Sequence, residues 1–211
     1  WGARVDLLYG TDYIFTQATG LETHQNGTNK WNSQSPNVPG AFAQYGLAMP
    51  QAYGEVAYND LSVKVGHFYA PVGYQVVQAN GNFFITQPYT FQYGEPFTMT
   101  GMLATYKVSD TLSVQGGVVN GWDKFDALAD MAAFIGTFTY TPEHGKYTIF
   151  NATVVGEEDG TALPIVGTRF LNTLVFTYNV SDNVQYVFQN DVGWQEDAVA
   201  AGTDGEWYGI N

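Results

Sequence analysis

Carboxylates dominate the side chains of this sequence that could do chemistry: 20 Asp and Glu stand against 7 Lys and Arg, with 3 His and no Cys. Two carboxylates at a fixed separation can cleave a glycosidic bond, but nothing in the spacing of these acids fixes a separation. The run Glu157, Glu158, Asp159 and the pair Asp123 and Asp126 could hold Ca²⁺ or Mg²⁺. Neither has EF-hand spacing, and solvated loop carboxylates are the simpler reading. His24, His67 and His144 are scattered, and no Ser sits in a nucleophile elbow, so no Ser/His/Asp relay is visible. The absence of Cys excludes a disulfide framework, a thiolate zinc site and a thiol nucleophile. The expectation is a protein without catalytic residues, metal or cofactor.

Charge and composition narrow the class. A formal net charge of -13 and a pI near 4.2 argue against nucleic acid as a partner, because phosphate binding needs a surplus of basic side chains. Only 13% of residues are charged, while 15 Tyr and 14 Phe lift the aromatic share to 16%, which does not suit a disordered chain. With 24 Gly and many β-branched residues, the sequence has little from which to build long helices and reads as all-β. No stretch approaches 18 consecutive apolar residues. A barrel strand, however, crosses a membrane with about 9 to 11 alternating residues.

Strand patterns run over 3–9, 51–58, 61–69, 98–108, 111–120, 131–141, 146–155, 169–180 and 183–194, and a tenth begins near Glu206. The connections alternate between long segments and tight turns at 59–60, 109–110, 142–145 and 181–182. Tyr58, Tyr106, Tyr140 and Tyr178 stand just before these turns, at one end of four hairpins, where a membrane interface favours a belt of rings.

Period-two alternation then divides the faces. Val184, Tyr186, Phe188, Val192 and Trp194 oppose Gln185, Gln189 and Asp191; Phe170, Leu174 and Phe176 oppose Arg169, Thr173 and Thr177; Val5 and Leu7 oppose Arg4 and Asp6. The segment 146–155 does not declare its outer face. A soluble sandwich alternates too. Long strands, an aromatic-rich apolar face and short turns confined to one rim favour an antiparallel up-and-down transmembrane β-barrel, present as a partial barrel of about ten strands. Its polar face, with Arg4, Asp6, Glu55, Lys64, Lys107, Gln115, Arg169, Gln185, Gln189 and Asp191, is then expected to line a pore. Each Lys or Arg facing lipid would cost about 2 to 4 kcal/mol near the midplane.

The long connections 10–48, 70–97, 121–130, 156–168 and 195–205 hold 12 acids and 2 bases, so most of the negative charge falls on one rim. Such a mouth concentrates cations, although acidic loops also serve solubility. The connection 70–97 is different, with Glu95 its only charge among many rings. It is expected to fold against the barrel, either inward as a constriction involving Tyr74, Phe84, Tyr89, Tyr93 and Glu95 or as a cap or subunit contact. The connection 10–48 is polar and expected to be exposed.

The runs Val63-Lys-Val-Gly-His-Phe-Tyr-Ala-Pro-Val-Gly-Tyr-Gln-Val-Val77, Gln92-Tyr-Gly-Glu-Pro-Phe97 and Leu112-Ser-Val-Gln-Gly-Gly-Val-Val-Asn-Gly-Trp122 resemble the putative β-barrel porin-2 (OmpL-like) family of bacterial outer-membrane proteins. The likeness starts at Arg4-Val-Asp-Leu-Leu-Tyr-Gly10 and covers most of the chain; Gln75 stands where an acid is expected. It implies a Gram-negative outer-membrane barrel and brings no catalytic residues. The combined expectation is one barrel domain over 1–211, an internal piece of a longer chain. It would act as a passive channel for small hydrophilic solutes with a cation preference, embedded in outer-membrane lipid and able to form homo-oligomers. The other readings are an outer-membrane binding or adhesion barrel and a soluble β-sandwich that binds a ligand.

Overall fold

Runs of β-branched and aromatic residues in period-two alternation commit ten segments to extended backbone. In a computed structural model that describes residues 1–23, 30–31, 45–126, 132–159 and 166–211, these are β1 (Gly2–Gly10), β2 (Gly46–Tyr58), β3 (Leu61–Tyr69), β4 (Thr98–Lys107), β5 (Leu112–Val119), β6 (Ala133–Tyr140), β7 (Tyr147–Asp159), β8 (Val166–Ser181), β9 (Val184–Ala200) and β10 (Thr203–Ile210). The helical pieces are short: α1 (Tyr13–Thr16), one 3₁₀ turn and α2 (Tyr89–Tyr93). No helix among the described residues is long and apolar enough to cross a membrane. His24 and Met131 lie outside the described residues, as does most of 24–44.

Each strand pairs antiparallel with its sequence neighbours, in the order β1 to β10, forming one sheet that is not closed. A single sheet rules out the sandwich reading, which needs two stacked layers. The sheet must curl. Phe68 on β3 and Leu171 on β8 lie in one buried cluster, although four strands separate theirs in the pairing order.

Two long hairpins extend further than the sequence pattern suggests. β7 and β8 stay paired from Tyr147↔Tyr178 to Asp159↔Val166, taking Glu157, Glu158 and Asp159 into the sheet. β9 and β10 meet through Ala201 and Gly202 alone, so 195–205 is a tight hairpin and not a long connection. Its Ala-, Gly- and Asp-rich sequence reads as loop, yet Asp197, at φ 49°, accepts a hydrogen bond from the Gly202 N–H, while Asp204 accepts one from the Asp197 N–H at 3.1 Å. These contacts hold the two strands through an irregular register.

The outer face carries Val5, Leu7, Tyr9, Val56, Val65, Met102, Phe134, Val155, Leu174, Tyr186, Val192, Trp194, Tyr208 and Ile210, all exposed. Strand β7 is now legible: Phe150, Ala152 and Val154 face inward, leaving Ile149, Asn151, Thr153 and Val155 outside. Its outer amides are paired, Asn151 with Asn172 at 3.2 Å and Asn172 with Thr153 at 2.8 Å, as hydrocarbon contact demands of polar groups.

Two substitutions test this orientation. Val192→Arg, on the outer face, is expected to cost about 2 to 4 kcal/mol in urea unfolding from lipid vesicles, whereas inward Thr139→Arg costs about 0.5 kcal/mol or less.

Candidate functional site

The inner face is divided along its length. Toward the tight turns it carries Ser62, Lys64, Thr105, Gln115, Thr139, Thr148, Thr177, Asn179 and Gln185, a wall of hydroxyls, amides and a few charges. Toward the opposite rim it carries Phe68, Met99, Leu103, Val119, Ala133, Ile135, Ala152, Val154 and Leu171, packed with Trp122 and Trp207 into a dry core. The interior is therefore only in part the polar surface that the alternation suggests. Strands β4 to β7 bear apolar residues on both faces, so their alternation carried little information about the interior.

Ion pairs anchor the connection between β5 and β6 in this upper half. Lys124 is buried against Glu158 and lies 3.2 Å from Asp159, while Arg169 stands 3.8 Å from Glu158 with its guanidinium 4.6 Å from the Trp122 ring centre. The Trp122 N–H donates to Glu158 at 3.0 Å, and Arg169 Nε donates to Gln195 at 2.6 Å. In such a cluster each ion faces an opposite charge, which offsets the cost of taking it out of water. Asp123 accepts hydrogen bonds from the Phe97 and Thr98 N–H groups at 2.9 and 2.8 Å, tying this connection to the start of β4. Burial pushes its carboxyl up to about 6, against the opposing pull of those hydrogen bonds. Glu22 does similar work near β2, accepting from the Ala18 and Met49 N–H groups at 2.6 Å, and burial raises it also.

The connection between β3 and β4, residues 70–97, crosses the interior as a strap and reaches the far wall. The Tyr74 N–H donates to Gln189 Oε1 at 2.9 Å, and the Tyr74 hydroxyl to Gln185 Oε1 at 3.3 Å. Gln189 Nε2 donates both to Glu95 and, at 2.8 Å, to Asp191, which also accepts from the Thr173 hydroxyl. At the end of α2, the Trp207 indole donates to the Gly94 carbonyl at 3.2 Å, and Asn211 donates to Thr90. Gly73, at φ 72°, lets the chain turn against the Glu95 carboxyl; a Cβ there would lie 2.2 Å from Glu95 Oε2. Burial, then the nearby Asp191 charge, pushes Glu95 up to about 8, opposed by the Gln189 hydrogen bond.

Arg4 and Asp6 form an exposed ion pair at 2.8 Å, with Gln51 on Asp6 at 2.6 Å. Glu55 and Lys64 are register partners, and Lys64 sits 4.9 Å from the Tyr53 ring centre. Lys107 pairs with Asp110 at 2.5 Å on the turn rim. Gln115 bridges Thr105 and Thr137 at 3.0 and 3.1 Å. Arg169, Gln189 and Asp191 lie beneath the inserted connections and not in an open lumen. Of the strap residues, Tyr74 and Glu95 contact the wall, Phe84 is exposed, and Tyr89 and Tyr93 stack on each other at 5.9 Å. Tyr58, Tyr106, Tyr140 and Tyr178 all fall on the outer face near the tight turns, joined by Tyr147 and Tyr186, which share a cross-strand row with Tyr178. Sequence reasoning missed the Lys124 cluster, because Lys124 lies 34 residues from Glu158 in the chain and the acids read as solvated loops.

A family model described as putative beta-barrel porin-2, OmpL-like, matches residues 1–211. No curated protein and no solved structure matches the chain.

The Glu95 contact makes the strap pH-dependent. The docked state binds the Glu95 proton more tightly than an undocked strap, whose carboxyl has its ordinary value near 4.5, so docking weakens as pH rises from there through about 8. Asp191 is the titratable group facing it from β9; β10 presents Trp207 and Gly209, which do not titrate. After correction for intrinsic exchange, the Tyr74 amide is expected to exchange at least about tenfold faster at pH 9 than at pH 6, with Glu95→Gln flattening the difference.

Proposed function

The chain belongs to the putative beta-barrel porin-2, OmpL-like family, and from that premise we propose that it is a passive diffusion channel for small hydrophilic solutes. Membership supports a porin-like role and an outer-membrane location. The observation that carries the finer reading is the strap: a 28-residue connection that crosses the inner face and is hydrogen-bonded to Gln185, Gln189 and Trp207 on the far wall. A connection held there narrows the passage, and the hydroxyl- and amide-lined half below it offers solutes a wet approach. Arg4, Asp6, Glu55, Lys64, Lys107, Gln115 and Gln185 line that approach in this reading. Arg169, Gln189 and Asp191 shape it from beneath the inserted connections.

Selectivity in this channel comes from size and from the rim charge. Five of the 12 rim acids, Glu22, Glu95, Asp123, Glu158 and Asp159, are enclosed or paired. Asp12, Asp126, Glu157, Glu196 and Asp204 stay exposed, and their field favours cations mildly. The unpaired edges of β1 and β10 need partners in hydrocarbon, which further strands of a longer, Gram-negative outer-membrane chain would supply; the same wall can also meet other copies in a homo-oligomer.

No catalytic role enters this reading. The passage is filtered by shape and electrostatics and needs no cofactor.

Planar-bilayer recordings test both parts. Replacing residues 74–93 by a short Gly-Ser linker is expected to raise single-channel conductance at least about twofold, and an unchanged conductance would overturn the constriction. Under a KCl gradient the reversal potential should carry the sign of K⁺ permeation, and a Cl⁻ sign would remove the cation preference.

A further inference from the structure

Between the strap and the inner face of β9 lies a cavity of about 350 Å³, within the range of roughly 300 to 1,000 Å³ usual for small-molecule sites. Its walls include Tyr74, Phe83, Phe84, Gln75, Gln87 and Asn211. None of the described residues lining it is charged, in a protein whose net charge is -13. Three aromatic rings and several amides in one pocket need a ligand that can satisfy both.

Two features call for such a ligand. First, Phe83 and Phe84 are each 70% exposed, although Phe91 and Met99 nearby in the chain are buried. Phe83 stacks on Tyr74 with centroids 6.4 Å apart and planes within 12°, and both rings line the cavity with Phe84. Covering an exposed ring is favourable, so these rings offer a ligand binding surface that the fold leaves unused. Second, Gln75, Gln87 and Asn211, each with an amide side chain, line the same cavity beside those rings. Gln189 is already committed to Tyr74, Glu95 and Asp191, so it holds the strap.

The lining selects against the other common solutes. An ion or zwitterion would leave its hydration shell without any countercharge in the wall. An apolar solute would take water from the Gln87 and Asn211 amides without replacing its hydrogen bonds. A neutral polyol ring meets both demands. Its face of C–H groups lies on the electron-rich ring faces, and its hydroxyls can both donate to and accept from lining amides such as Gln87. We propose that the strap pocket is a binding subsite for a neutral saccharide, so that the protein concentrates sugars at its narrowest point.

The proposal rests on the channel reading only for its place in a solute path, and the test separates the two. The full-length protein is reconstituted in planar bilayers with maltotriose as probe, beside a polyethylene glycol of equal hydrodynamic size. Maltotriose is expected to interrupt the current saturably, whereas the glycol acts only by volume, without saturation. The double variant Phe83→Ala, Phe84→Ala removes exposed rings that pack on little else, and it should weaken the maltotriose effect at least about tenfold. Equal behaviour of the two probes, or an unaltered response in the variant, overturns the subsite. If the protein passes no current, the channel reading fails by itself. Calorimetric titration of maltotriose into the detergent-solubilised protein then decides: heat that vanishes in the double variant supports the subsite, and no heat in the wild type overturns it.

Discussion

The structure depends on the strict opposition of neighbouring side chains across an extended backbone. Successive residues of a strand point to opposite faces, so a wall whose outside is apolar has every second side chain delivered to its inside. On β9 this puts Tyr186, Val192 and Trp194 outward and Gln185, Gln189, Asp191 and Gln195 inward. The pairing order from β1 to β10 then lines up these choices from strand to strand, because one residue of slip would turn each set to the wrong side. Outer polar groups survive where neighbours satisfy them, as Asn151, Asn172 and Thr153 do.

An inward face that is polar by alternation alone would hold buried charges without partners, and the chain avoids this with its connections. The segment after β5 brings Lys124 down to Glu158 and Asp159, and Trp122 to Arg169. The strap after β3 brings Glu95 and Tyr74 to Gln189. These insertions also close the apolar core of Phe68, Met99, Leu103, Ile135 and Leu171. The same contacts therefore fill the upper half, while the half beside the tight turns is lined by hydroxyls and amides.

That division accounts for the roles we assign. Membership of the OmpL-like porin family supplies the general role, and in the proposed reading the interior supplies its character: a polar approach, a constriction pinned to the far wall, and a rim on which fewer acids are available than the composition suggests. In the proposed channel, charge acts at the mouth, where carboxylates remain solvated. At the strap pocket the lining is neutral, and in the proposed reading its rings and amides do the discriminating.

The sequence by itself determined the all-β class, the outward sides of β1, β6, β8 and β9, the four tight turns and the tyrosines above them, because period-two alternation and turn-forming residues are local properties. It also singled out 70–97 through its lack of charge. It could not reveal that 195–205 forms a hairpin, since Gly202 and Asp197 read alike in a loop and in an irregular register between strands. Nor could it assign the faces of β7, where Asn151 and Ala152 offered no clear preference. Only the tertiary structure decided which acids are spent. Glu158 meets Lys124 across 34 residues of chain, and Gln189 meets Glu95 across 94. Pairings at such separation depend on how far the sheet curls, a property of all ten strands together that no local pattern encodes.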